Sequence, residues 1–298
     1  MTGQQRTIDS DTIIGFIGTG IMGASMAGHL LQHGCKVLVY NRTRARAEDL
    51  LAQGAIWCDS PRQVAERAGL IITMLGYPSD VEQIYFGEDG LLAHAQQGTY
   101  LLDMTTSSPT LAKRIAASAS SKGLHALDAP VSGGDIGARE ARLSIMVGGE
   151  PEAFAAVQPM LEWLGTNVVH QGPAGAGQFT KLCNQITIAS NMIGVSEALA
   201  YAKAAGLDQT TVLRSISSGA AASWSLTNLA PRMIAGDYAP GFYVKHFIKD
   251  IRIALESAAE MGLELPGLTL AKTLYERLVE QGGEDDGTQA LYRIIASV

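Results

Sequence analysis

Short apolar runs and amphipathic stretches alternate through the first half of the chain. Residues 12–17 form an apolar run that ends in glycines. Residues 21–33 carry apolar positions at helical spacing and stop at Gly34, and residues 36–40 are apolar again. The alternation continues through 70–75, 100–103, 125–128 and 143–147, each read as a strand. Ser60-Pro61 and Ser108-Pro109 place a capping hydroxyl ahead of a proline at the first helical position, which opens a helix; the second of these helices is expected to run to about 121. Short apolar runs separated by helices predict a parallel sheet covered on both faces.

The texture changes after about residue 173. From 175 to 205 there is almost no breaker beyond Gly194, a helix-compatible length unusual for a globular protein. The stretches 208–217, 223–235, 244–261 and 266–281 also read as helices, with no alternating strand among them. The expected organisation is an α/β domain over 1–173 and an all-α domain over 174–298. No internal repeat or low-complexity tract interrupts it.

Composition narrows the class. The 298 residues are 47% hydrophobic and 17% charged, which describes a folded chain with a substantial core. Twenty-two basic residues against twenty-nine acidic ones give a net charge of −7, the opposite of a nucleic-acid or polybasic membrane-surface footprint. No apolar run reaches the roughly 18 residues that span a bilayer. The polar N-terminus lacks a signal-peptide layout, so a cytoplasmic location is expected. Cys35, Cys58 and Cys183 are scattered, which argues against a disulfide framework or a zinc site. The six histidines show no ligand spacing, and no metal is expected.

Gly15-Phe-Ile-Gly18-Thr19-Gly20-Ile21-Met22-Gly23 contains G-x-G-x-x-G between a strand and a helix, the context that makes the spacing informative. Gly18 permits the turn, Gly20 lets backbone approach a pyrophosphate, and Gly23 lets helix and strand pack closely. The helix then presents free N–H groups to the anion. A plain strand-to-helix turn is the bland alternative. The pattern predicts a Rossmann-type, doubly wound dinucleotide-binding sheet. The second strand ends at Tyr40-Asn41-Arg42-Thr43-Arg44, with no acidic residue to accept from a ribose 2′-hydroxyl. Arginines there suit a 2′-phosphate, which favours NADP over NAD, unless they are only solvated surface charges.

Two further glycine clusters carry candidate chemistry. Ser132-Gly133-Gly134 follows a strand end, where exposed N–H groups can hold a carboxylate or where glycine serves the turn alone. Lys181, Asn184 and Gln185 lie at i, i+3 and i+4 of the long helix, hence on one face, with Gly177 at i−4 leaving room for a ligand or another backbone.

Together these motifs resemble the β-hydroxyacid dehydrogenase family. GFIGTGIMG, DMTTSSP with DAPVSGG, GAGQFTKLCNQ and FYVKHFIKDIRIA match in order, from residue 15 to about 254. The resemblance implies a dinucleotide-binding domain, an all-α domain and a site between them. It implies Lys181 as general acid/base and Asn184 orienting the substrate hydroxyl. It also implies Ser132, Gly133 and Gly134 holding the substrate anion, and Thr106 near nicotinamide and substrate. Leu75, Gly76 and Lys249 would contact the cofactor, with Asp250 as partner to Lys249; Gln185 is placed with the substrate-binding residues. Many members of the family have Asn-Asn where this chain has Asn184-Gln185, and Asn-Gln resembles the tartronate semialdehyde reductase branch. Ala141-Arg142-Leu143 stands where relatives often have Gly-Thr-Leu.

The expected reaction is hydride transfer between a nicotinamide and a small β-hydroxy acid or its semialdehyde, with Lys181 moving the proton. A lysine with an ordinary pKa of about 10.4 suits the acid role. The leading candidates are 3-hydroxyisobutyrate dehydrogenase and 2-hydroxy-3-oxopropionate reductase. Glyoxylate/succinic semialdehyde reductase and a non-catalytic dinucleotide-binding module are the alternatives. The long helix is expected to pack in a homodimer or homotetramer, with a small carboxylate as the other partner.

Overall fold

The computed structural model describes residues 8 and 12–296. The polar N-terminal positions 1–7 and 9–11 and the last two residues lie outside them. The chain divides into two compact units, the first ending at Lys181 and the second starting at Leu182. That division falls inside a continuous helix, a few residues past the expected boundary at 173–174.

The first unit runs β1 (Ile14–Ile17), α1 (Ile21–Gln32), β2 (Val37–Tyr40), α2 (Glu48–Ala52), β3 (Ile56–Trp57), α3 (Pro61–Ala65), β4 (Leu70–Thr73), α4 (Pro78–Phe86), α5 (Leu91–His94), β5 (Tyr100–Asp103), α6 (Pro109–Ser120), β6 (His125–Asp128), β7 (Val131–Ser132), α7 (Gly134–Arg139), β8 (Leu143–Gly148), α8 (Pro151–Leu161) and β9 (Gly165–Gly172). It closes with the first turns of α9 (Ala176–Ala204). The sheet order is β3-β2-β1-β4-β5-β6-β8-β7, with β9 beside β8. Strands β3 to β6 along this order are parallel, as expected for a doubly wound sheet. The far edge differs from an all-parallel reading: β8 pairs antiparallel with β6 and β7.

Strand alternation explains the two cores of this unit. Phe16, Val39, Ile72 and Leu102 point to one face, where they pack with Met26 and Leu30 of α1. Ile17, Leu38, Ile71 and Leu101 point to the other, against Val64, Tyr85, Leu111 and Ile115. Ser60 and Ser108 cap α3 and α6 as predicted, accepting from the N–H groups of Gln63 and Leu111.

The second unit holds the rest of α9, then α10 (Gln209–Ile216), α11 (Trp224–Asn228), α12 (Ala230–Ile234), α13 (Val244–Glu260), α14 (Pro266–Glu280) and α15 (Leu291–Ala296). Its core gathers Met192, Val195 and Leu199 with Phe247, Ile251 and Tyr275. Phe247 meets Tyr275 edge-on at 5.1 Å. The helix expected over 223–235 is broken into α11 and α12 around Pro231, which cannot donate to the preceding turn. Among the described residues, no helix is long and apolar enough to cross a membrane.

Ala141, just before β8, has φ of 51° and is the only non-glycine with positive φ among the described residues. A Cβ in that region costs about 1–2 kcal/mol, partly offset by the lower chain entropy of alanine. Ala141→Gly is therefore expected to raise stability by about 1 kcal/mol. The midpoint of urea unfolding checks this; an unchanged or lower midpoint rejects strain at this turn.

Candidate active site

The glycine-rich turn is assembled as its spacing requires. Gly18 has φ of 99°, and a Cβ there would lie 2.2 Å from the Met74 carbonyl oxygen. A Cβ on Gly23 would lie 1.9 Å from the Gly18 carbonyl oxygen. Gly20 differs from both: its φ is −72° and a Cβ would meet nothing within 4 Å. Neither backbone nor packing demands glycine at that position, and the space beside it is open. Helix α1 begins there without a side-chain cap and without an acidic residue in its first turn. The Thr19 hydroxyl beside it is buried with no hydrogen-bond partner. Open space, free N–H groups and an orphaned donor fit the pyrophosphate of a dinucleotide.

The end of β2 carries the next group. Asn41 braces the turn, accepting from Thr19 N–H at 3.2 Å and donating to the Thr43 carbonyl at 2.9 Å. Arg42 pairs with Asp80 of α4 at 3.0 Å while remaining largely exposed. Arg44 lies over the Trp57 ring, 5.3 Å from its centroid. Neither Asp80 nor Trp57 was legible as part of this corner, because Asp80 lies far along the chain on α4 and the strand that carries Trp57, β3, is only two residues long. Leu75 is placed by its own N–H, which donates to Thr105 Oγ1 at 2.9 Å.

At the carboxyl ends of β5 and β6, Asp103 and Asp128 are neighbours in register, and both are buried. The Asp128 carboxylate accepts from Gly175 N–H at 2.7 Å and Gln178 N–H at 2.8 Å, and so caps α9 from a strand of the sheet. Gly177 fits beneath it because a Cβ would lie 2.3 Å from the Met146 carbonyl oxygen. The room at Gly177 thus admits another backbone. Gln178, fully buried, bonds the loop after β5 on both sides of Thr106. Lys181 follows one turn later and is 7% exposed. Ser132 ends β7, and Gly133 and Gly134 open α7 with φ of 133° and 62°. The first unit therefore gathers the Thr106 loop, the Asp128 strand end and the Lys181 turn around the start of α9.

The second unit holds a separate polar chain. Asn184 donates to Gln185 Oε1 at 2.8 Å, and Gln185 donates to Asp250 Oδ2 at 2.5 Å. Lys249 pairs with Asp250 Oδ1 at 3.0 Å. Gln185 and Asp250 are both about 1% exposed, so the Gln185 amide serves this chain. Burial, with help from the Lys249 ammonium, lowers the pKa of His246. Among the described residues, no cluster of His, Cys, Asp and Glu is placed to hold a metal.

Comparison with known proteins adds the family. A model of the NAD binding domain of 6-phosphogluconate dehydrogenase matches residues 13–172. A second, described as NAD-binding of NADP-dependent 3-hydroxyisobutyrate dehydrogenase, matches residues 175–295. The 2-hydroxy-3-oxopropionate reductase of Escherichia coli (strain K12) is 39% identical over 282 residues, 95% of this chain and 96% of that one. The chain belongs to the β-hydroxyacid dehydrogenase family. Another relative, the uncharacterized oxidoreductase YkwC of Bacillus subtilis (strain 168), is 60% identical over 281 residues, 94% of this chain and 98% of that one. The solved Mycobacterium tuberculosis 3-hydroxyisobutyrate dehydrogenase with L-serine superposes with a TM-score of 0.88 at 31% identity, covering 95% of this chain and 98% of that one. The α/β class, with a Rossmann-type sheet followed by helices, is that of this family.

Burial of the neighbouring acids Asp103 and Asp128 has a cost. Burial pushes the pKa of Asp103 up from 3.8 to about 6, against the opposing hydrogen bonds from Thr105 and Thr73. Burial also raises Asp128, opposed by the N–H groups of Gly175 and Gln178. Between pH 3.8 and about 6 the folded chain keeps a proton on Asp103 that the unfolded chain has released. Its contribution is then most favourable below 3.8 and is lost as pH rises through about 6, a change on the order of 3 kcal/mol. Asp103→Asn keeps an acceptor for Thr73 and Thr105 and removes the titration. Its thermal midpoint is expected to fall less steeply than the parent's between about pH 4 and pH 7; parallel curves reject a titrating Asp103.

Proposed function

We propose that the chain is an NADP-preferring oxidoreductase that interconverts a small β-hydroxy acid and its semialdehyde, with Lys181 as the general acid/base. The observation that carries this reading is the buried residue Lys181, one turn beyond a helix start fixed to the loops at the carboxyl edge of the sheet. A bound nicotinamide supplies or accepts the hydride. In reduction, Lys181 as ammonium hands a proton to the developing alkoxide; in oxidation, the neutral amine removes it. Ser132, Gly133 and Gly134 hold the substrate carboxylate through N–H groups, and Asn184 orients the hydroxyl. The Asn184-Gln185 pair and the kinship with 2-hydroxy-3-oxopropionate reductase support tartronate semialdehyde as substrate. The serine-bound mycobacterial structure keeps 3-hydroxyisobutyrate and L-serine in the comparison.

The coenzyme preference rests on Arg42, whose guanidinium stands at the end of β2 where an acidic residue would select NAD. Asp80 fixes one side of that guanidinium and leaves the rest exposed to a 2′-phosphate.

Two measurements test the reading. Against a panel of three- to five-carbon β-hydroxy acids and semialdehydes, Lys181→Ala should lower kcat by about 10² to 10⁴ while the Kd for NADPH changes little. Turnover retained in that variant removes Lys181 from the role. The parent should favour NADPH over NADH in kcat/KM, and Arg42→Ala should lower the NADPH value about 10- to 100-fold with NADH nearly unaffected. A parent that prefers NADH overturns the coenzyme assignment.

A further inference from the structure

Gln178 stands three residues before Lys181, on the same face of α9. Its Oε1 accepts from the Ser107 N–H at 2.8 Å, and its Nε2 donates to the Thr105 carbonyl at 2.7 Å. The two bonds bracket Thr106. They also fix the amide's own orientation, since the flipped amide would set N–H against N–H and oxygen against oxygen. The turn cannot slide to escape them. Asp128 holds the N–H groups of Gly175 and of Gln178 itself, and Gly177 is pressed against the Met146 carbonyl.

A helix of this length does not need a fully buried amide to form. An apolar side chain of the same volume would fill the space but would take these partners from the buried Ser107 N–H and Thr105 carbonyl. The polar solution specifies a register: the loop carrying Thr106 is set at a fixed distance and angle from the helical turn carrying Lys181. We propose that Gln178 is a positioning residue, touching neither substrate nor coenzyme, that fixes the Lys181 amine relative to the Thr106 loop in the geometry that proton transfer requires. This rests on the reading of Lys181 as the general acid/base.

Two variants separate positioning from packing. Gln178→Met removes both bonds at similar volume. Its kcat is expected to fall about 10- to 100-fold, while the NADPH Kd stays within about threefold, because the Gly18–Gly23 turn is untouched. Gln178→Glu, when ionised, sets a carboxylate against the Thr105 carbonyl. When protonated, it donates to that carbonyl as the amide does. Burial raises such a carboxyl's pKa, so the variant should regain kcat as pH falls, adding a limb that the parent's profile lacks. A purely structural role would lower the thermal midpoint yet leave kcat and the profile of the folded enzyme as in the parent.

Parental kcat and a parental pH profile in both variants, with Lys181→Ala inactive, overturn the positioning role alone. Turnover surviving in Lys181→Ala overturns the reading of Lys181 and this role with it. If Gln178→Met does not fold, the pH profile of Gln178→Glu decides by itself.

Discussion

Both oxygens of one carboxylate, on Asp128, accept N–H groups at the start of a 29-residue helix. The first amides of any helix need acceptors, and here the sheet supplies one rather than the helix's own sequence. The choice has a cost, because the carboxylate is buried beside a second one, Asp103, and both are pushed toward the neutral form. The return is placement. With its origin attached to the last residue of β6, the helix carries Lys181 at a fixed number of residues from the sheet edge. Gly177 and Gly148 are required by the same closeness, since a Cβ on either would meet the backbone or the Asp128 carboxylate at under 3 Å.

The fold was legible wherever a run was apolar and long enough to show its period. Strands β1, β2, β4, β5, β6 and β8 came from such runs, and the caps of α3 and α6 came from Ser-Pro. β9 did not, because Gly-Thr-Asn-Val-Val-His-Gln-Gly offers two adjacent apolar residues among polar ones, as an exposed strand beside β8 permits. β3 and β7 have two residues each, too few for any period. The antiparallel course of β8 depends on how the chain returns through α7, which no local pattern records.

The candidate site divides in the same way. Lys181, Asn184 and Gln185 shared a helical face that spacing alone revealed, and the turn at Gly18–Gly23 followed from its flanking elements. Gln178 stayed hidden although it sits within the same stretch, since its partners Thr105 and Ser107 lie more than 70 residues away. Arg42 could be singled out, whereas its partner Asp80 lies 38 positions further along, on another helix. Contacts that join distant segments leave only a polar residue in an unremarked place as their trace.

The three glycines of the nucleotide turn answer to different constraints. Gly18 and Gly23 are held by atoms of the chain itself, so the fold would exclude side chains there whatever the protein did. Position 20 has no such guardian. A descendant that abandoned its coenzyme would be free to accumulate alanine or serine at 20 while keeping glycine at 18 and 23, and that mixed pattern would mark lost chemistry on an intact scaffold.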